Sequence, residues 1–212
     1  MLEGVEYDLV REFLYNSGIN LKESGVLDLF AGDGSFRSHK ITREARIVDA
    51  VDRSKTKLDT YKKGMTNVVT HPEDAIEFVN KACIANTDFY KWEVILIDNP
   101  GRIFGDYCEH FDLFPQVLQL LSQNNPSALV FNVLPNANKR LGSVNKHRGI
   151  RKEFYQSSKE YLEEEFLTQF YDGYFFPREI RGRSFFPRTH SQLGGKNQYW
   201  IAAYVFEGIK DV

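Results

Sequence analysis

The chain has 212 residues, 42% of them hydrophobic and 26% charged, with a formal net charge of −2. That length suits one domain, because single cores stop growing beyond about 250 residues, and that composition excludes wholesale disorder. The net charge excludes global attraction to nucleic acid while leaving room for a local basic face, and Cys83 and Cys108, without paired spacing, suggest neither a disulfide framework nor a zinc site.

In chain order, Val5–Asn16 reads as a helix laid over the core. The β-branched, apolar run Val26-Leu27-Asp28-Leu29-Phe30 then leads into the turn Ala31-Gly32-Asp33-Gly34-Ser35. A second strand, Arg46–Asp52, is followed by Ser54 and the polar, lysine-rich stretch Lys55–Lys63. A third, Asn67–Thr70, precedes His71-Pro72-Glu73-Asp74 and a helical pattern over Ala75–Ala85, where Pro72 suits a first helical turn. The fourth run, Trp92–Ile97, is almost wholly apolar, as a strand covered on both faces should be. It stops at Asp98-Asn99-Pro100-Gly101, a strong turn signal. A helix over Leu113–Ser122 and a strand over Ser127–Leu134 complete this part. Strands alternating with helices at this rhythm predict a parallel sheet with helices on both faces. The last third reads as a helix over Glu153–Tyr171, then strands Tyr174–Phe186 and Gln198–Phe206 joined by Pro187–Asn197. A connection that short requires the two strands to be antiparallel. The expectation is a single domain over residues 1–212, with a basic loop around residues 136–152. No run of about 18 apolar residues predicts a membrane span. Met1–Gly4 begins no signal pattern, so the cytoplasm is the expected location.

In an open parallel sheet, ligands sit beyond the carboxyl ends of the strands. Gly32 and Gly34, lacking Cβ atoms, let the backbone turn tightly there and approach a ligand. Asp28 lies inside an apolar strand, where an unpaired carboxylate is costly. It is expected to accept from the N–H groups of the turn or to meet a cationic ligand group. Asp52, eighteen positions after Gly34, is placed to accept from both hydroxyls of a ribose. Asp74 is placed to accept from an adenine amino group, with the Ala75 backbone at the same ring edge. Each acid equally suits a helix cap, which Asp favours. The order of glycine turn, acid and acid after three successive strands is what favours a nucleotide-type cofactor.

Val26–Phe36 resembles the first motif of class I S-adenosylmethionine-dependent methyltransferases. Ala50-Val51-Asp52-Arg53-Ser54 resembles their ribose-binding second motif, Glu73-Asp74-Ala75 the adenine-contacting third, and Ile97-Asp98-Asn99-Pro100 the fourth, which borders the transferred methyl. The resemblance implies a Rossmann-like fold, α/β with a seven-stranded, mostly parallel sheet and a terminal antiparallel pair. It implies S-adenosyl-L-methionine as cofactor, held by Asp28, Phe30, Ala31, Gly32, Gly34, Asp52, Arg53, Asp74 and Ala75. Among these, Asp28, Gly32 and Gly34 would hold the methionine part. A nicotinamide site is disfavoured, because its Gly-x-Gly-x-x-Gly spacing would need a glycine where Arg37 stands.

The wording Asp-Leu-Phe-Ala-Gly is similar to that of nucleic-acid methyltransferases, which makes a base in RNA or DNA the expected substrate. Six cations fall in an acid-free segment, Lys139, Arg140, Lys146, Arg148, Arg151 and Lys152. Arg178, Arg181, Arg183, Arg188 and His190 follow, interleaved with Phe185 and Phe186. Cations with aromatics suit a nucleic acid; the alternative is a solvated loop balanced by Glu163-Glu164-Glu165. In the fourth motif, amino-group methyltransferases carry a second proline and an aromatic residue where this chain has Gly101. Phe104 or Tyr107 would then supply the stacking, or simply pack. No Pro-Cys pair exists for a cytosine-C5 mechanism, and Cys108 reads as an inert thiol. Asp98, Asn99, Pro100 and His110 are the candidate catalytic residues, with His110 able to act as a base near neutral pH. Asp112 reads as the cap of the helix containing Pro115. Lys146, Arg148, Arg151 and Arg183 are the candidate substrate contacts. No metal is expected. Two alternatives stand beside this: a methyltransferase for a small molecule or protein side chain, and a non-catalytic interaction module.

Overall fold

The computed structural model describes residues 5–34, 39–85, 92–97, 110–122, 126–133, 171, 175, 179–180, 183–184, 187–194 and 199–207. Helix α1 spans Val5–Asn16, and a single 3-10 turn at Leu21–Glu23 leads into β1, Gly25–Leu29. There follow α2 (His39–Glu44), β2 (Ile47–Val51), α3 (Lys55–Tyr61), β3 (Val68–His71), α4 (Ala75–Ala85) and β4 (Val94–Ile97). Then come α5 (His110–Leu120), β5 (Ser127–Val133), the two-residue strands β6 (Glu179–Ile180) and β7 (Arg183–Ser184), β8 (Pro187–Gly194) and β9 (Tyr199–Phe206).

Seven strands form one sheet in the order β3-β2-β1-β4-β5-β9-β8. The first five are parallel, and β9 runs antiparallel to both β5 and β8. The central strands β1 and β4 are buried at every position, whereas edge strand β3 buries only Val68. Side chains alternate between two cores, as the pleat requires. Leu27, Leu29, Ile95 and Ile97 pack with α4 and α5 on one face. Val26, Val48, Ala50, Val94 and Leu96 pack with α1, α2 and α3 on the other. Rings fill the first core towards β9, with Phe114 and Phe131 centroids 5.1 Å apart, Phe131 and Tyr171 5.0 Å apart, and Phe175 and Tyr204 4.4 Å apart.

The parallel part and the terminal antiparallel pair agree with the sequence expectation, and several boundaries differ. The stretch Pro187–Gly194, expected as a connection, is strand β8, paired along its whole length with β9. Pro187 is tolerated because it opens an edge strand, where a missing N–H breaks no ladder. Within the expected strand Tyr174–Phe186 the described strand residues are β6 and β7, which pair only with each other. Pro72 lies three residues before α4 rather than in its first turn. Helix α5 begins at His110, so Asp112 sits inside its first turn instead of capping it, still where the helix dipole favours an acid. Of the helix expected over Glu153–Tyr171 only Tyr171, in helical conformation, is described, and the basic loop at 136–152 lies outside the described residues. Among the described residues no helix is long and apolar enough to cross a membrane.

Candidate functional site

The turn after β1 is built from left-handed backbone. Phe30, Gly32 and Gly34 have φ of 65°, 61° and 76°. Glycine adopts that region without strain, whereas Phe30 does so at a cost that neighbouring contacts must offset. The turn is tied to β2 by Ala31 N–H donating to the Val51 carbonyl at 3.0 Å. The Asp52 carboxylate completes the junction: Oδ2 accepts from Gly32 N–H at 3.1 Å and Oδ1 from Ser54 N–H at 2.8 Å. Ser54 in turn caps α3. Asp52 N–H donates to the His71 carbonyl at 3.3 Å, which links β2 to the end of β3.

Between these carboxyl ends lies a cavity of about 210 Å³ lined by Phe30, Val51, Asp52, Arg53 and Ala75. Each Asp52 oxygen accepts one backbone N–H, and since a carboxylate offers about four acceptor positions, each oxygen has one more to offer at the cavity wall. Two such acceptor positions match the two hydroxyl donors of a ribose. Asp74 precedes α4 and caps it, with Oδ1 accepting from Ile76 N–H at 2.9 Å and Glu77 N–H at 3.2 Å. Its Oδ2 accepts from Arg53 Nε at 2.8 Å and Nη2 at 2.5 Å.

Asp28 is 1% exposed, and its Oδ2 accepts from the Tyr61 hydroxyl at 2.8 Å. Its side chain points to the α3 face of the sheet, which brings the α3 ring to it. Burial, reinforced by the Asp28 charge, holds the Tyr61 hydroxyl far above the usual phenol range, with a Thr42 hydrogen bond opposing the shift. On the other face Asp49 Oδ1 lies 2.7 Å from His71 Nε2, and Asp49 Oδ2 accepts from Trp92 Nε1 at 2.8 Å. His71 packs on Phe78 at 4.8 Å. Sequence reasoning missed Tyr61, Asp49, His71 and Trp92; the one available signal was an acid placed within each of two apolar strands.

The structure therefore gathers Phe30, Asp52, Arg53 and Ala75 around one cavity, with Ala31, Gly32 and Gly34 in the adjoining turn. Asp74 is paired with Arg53, and Asp28 is buried against Tyr61 rather than lining the cavity. Asp98, Asn99, Pro100, Phe104, Tyr107, Lys146, Arg148 and Arg151 lie outside the described residues. His110 begins α5 and Arg183 lies on β7, with only their backbones described. Strand β4 ends at Ile97, paired in register with Leu29, so the chain leaves β4 beside the glycine turn. Among the described residues no group of three or more His, Cys, Asp or Glu side chains is placed to hold a metal ion.

This architecture, with its turn, acid and cap in order along β1 to β3, is that of the class I, Rossmann-like methyltransferases. A curated relative, the ribosomal RNA small subunit methyltransferase D of Haemophilus influenzae, is 30% identical over 135 residues, or 58% of this chain and 64% of the relative. The matched stretch thus spans a little under two thirds of that protein. Among solved structures the fold is similar to an rRNA methylase from Streptococcus thermophilus, with a TM-score of 0.53 and 10% identity over 96% of this chain and 97% of that one. It is also similar to the plantazolicin methyltransferase BpumL in complex with SAH, with a TM-score of 0.56 and 15% identity over 98% of this chain and 86% of that one. No protein-family model matches the sequence.

Proposed function

We propose that the protein transfers a methyl group from S-adenosylmethionine to a base in RNA. The observation that carries the cofactor half is Asp52. It fastens the glycine turn to β2 through Gly32 and Ser54, yet lines the cavity with acceptor positions left for a ribose. The bound cofactor supplies an electrophilic methyl on a sulfonium. The chain's own part is to hold the nucleoside at Asp52, Arg53 and Ala75, and to direct the methionine end along Ala31, Gly32 and Gly34. Asp98, Asn99, Pro100 and His110 would border the acceptor, because β4 delivers the chain beside the turn and α5 starts at His110. An amine nucleophile needs little proton transfer, so in-line positioning carries most of the rate. A base inside a duplex would have to be flipped out.

RNA is favoured as acceptor by the similarity to a ribosomal RNA methyltransferase and by the charge along α3 and the turn that follows it. Lys55, Lys57, Lys62 and Lys63 are exposed and make no ion pair among the described residues. Arg11, Arg53 and Lys81, by contrast, are each paired with a carboxylate. Asp59 is the one acid on the same stretch.

Calorimetric titration with S-adenosylhomocysteine tests the cofactor half. Asp52→Ala removes two ligand hydrogen bonds and two turn contacts, and is expected to weaken binding by at least about a hundredfold, at about 1.5–3 kcal/mol for each bond to a charged group. Unchanged affinity refutes the assignment. Transfer of labelled methyl to small-subunit ribosomal RNA, and not to DNA or to small amines, tests the substrate half. Labelling of a small molecule alone refutes RNA.

A further inference from the structure

The cavity lined by Phe30, Val51, Asp52, Arg53 and Ala75 lies over the β1–β3 half of the sheet. An acceptor must therefore reach the methyl group over the other half, where β4, β5, β9 and β8 follow in order. Strand β9 is antiparallel to β5, and β8 to β9, so the start of β9 and the end of β8 lie at the carboxyl end of β4 and β5. Along one row of the register Leu29 pairs with Ile97, Ile97 with Phe131 and Phe131 with Ala202. Trp200, opposite Val133, stands two residues beyond that row. It is thus about 7 Å further towards the carboxyl end and about 10 Å, two strand spacings, from β4. The pleat puts position 200 on the face of Ala202, Tyr204 and Phe206, which is also the face of Leu29, Ile97 and Phe131. Further down that face Phe131 and Tyr204 stack at 6.0 Å with their planes 7° apart. Position 202 is alanine, so the aromatic column along β9 is broken just below Trp200.

We infer that Trp200 is an acceptor-binding residue, its indole being the platform on which the base to be methylated stacks. Every base has a π-face, so stacking holds it without reading its edge and leaves the reactive edge to meet the methyl. The site then has two halves, with hydrogen bonds to the cofactor over β1–β3 and a ring for the acceptor at the start of β9. This inference rests on the proposed RNA acceptor.

The test pairs methyl transfer to small-subunit ribosomal RNA with fluorescence, in Trp200→Phe and Trp200→Leu, each variant's unfolding midpoint being measured alongside. Phenylalanine keeps an aromatic face, and leucine keeps only apolar bulk. Trp200→Leu is expected to raise KM for the RNA about tenfold, towards the low end for one stacked base, and Trp200→Phe to recover most of that loss. Affinity for S-adenosylhomocysteine should stay at the parent value in both, because position 200 is three strands from β1 and does not line the cavity. The chain has two tryptophans, and the other, Trp92, is 4% exposed and donates to Asp49. RNA should therefore quench the parent's fluorescence through Trp200, and the quench should vanish in Trp200→Phe although that variant still binds RNA. A Trp200→Leu variant with the parent's KM overturns the inference, since position 200 would then serve packing alone. So does a quench that survives in Trp200→Phe, or a loss of S-adenosylhomocysteine affinity in Trp200→Leu as large as the rise in KM. A parent protein that methylates a small molecule and no RNA refutes the RNA reading itself, a result distinct from these because it precedes any variant.

Discussion

The pair Tyr61–Asp28 couples α3 to the central strand through a hydroxyl and a carboxylate that are both almost completely buried. Tyr61→Phe keeps the ring and removes the donor, leaving a buried charge short of one hydrogen bond. That should lower stability by about 1–3 kcal/mol in a denaturation curve at neutral pH. The pH dependence has a definite sign. The folded hydroxyl titrates well above its ordinary value of 10.0, so above pH 10 the unfolded chain releases this proton and the native chain does not. Stability from this group is therefore complete below pH 10 and falls by about 1.4 kcal/mol per unit above it. The gap between the parent and Tyr61→Phe should narrow on the alkaline side, and a constant gap from pH 9 to 11 refutes the coupling. Asp52 was legible in the sequence because its place after the second strand is a local pattern. The partners of Asp28 and Asp49 were not, since Tyr61 lies 33 positions from Asp28 and Trp92 lies 43 positions from Asp49. Such pairings follow from sheet order and helix placement, which no local window contains.

Among the elements, α4 depends on its first turn. Asp74 receives two of the N–H groups that a helix leaves without an intrahelical partner. Asp74→Ala should lower the stability of the protein by about 1 kcal/mol, and Asp74→Asn by much less. Urea denaturation of the two variants separates the cap from the Arg53 ion pair, which both replacements weaken. Equal losses would mean that the ion pair, and not the cap, carries the effect. Strands β1, β2 and β4 were legible because each is a short β-branched or aliphatic run ending at a turn. Strand β8 was not, because an edge strand beginning at proline and rich in polar residues has the composition of a loop. Helix α2 was expected only as a helical pattern without bounds after the glycine turn, because six residues cover fewer than two turns, too few to display a helical period.

At the scale of the molecule, if the proposed acceptor is RNA, a protein of net charge −2 has to meet it through a local concentration of cations. Helix α3 starts directly after Asp52, Arg53 and Ser54, so its first turn adjoins the cavity that would hold the cofactor. Lys55 and Lys57 occupy that first turn without an accompanying acid, against the preference of the helix dipole for negative charge there. Lys55 and Lys62 stand at i and i+7, which places them on one side of the helix and its cap, and Lys63 follows directly in the turn. If that side meets the phosphate backbone, replacing these three lysines with glutamine should flatten the plot of log affinity against log salt. The expected change in slope is about 2 for single-stranded RNA, from about 0.7 per neutralised phosphate. Affinity for S-adenosylhomocysteine should stay at the parent value, because none of the three lines the cavity. A slope that does not move, with cofactor affinity intact, would take α3 off the RNA path and assign the contact to the cations of residues 136–152. In either case the salt dependence reports how many phosphates the protein neutralises, while the cofactor titration reports whether the turn at Gly32 and Asp52 has kept its shape.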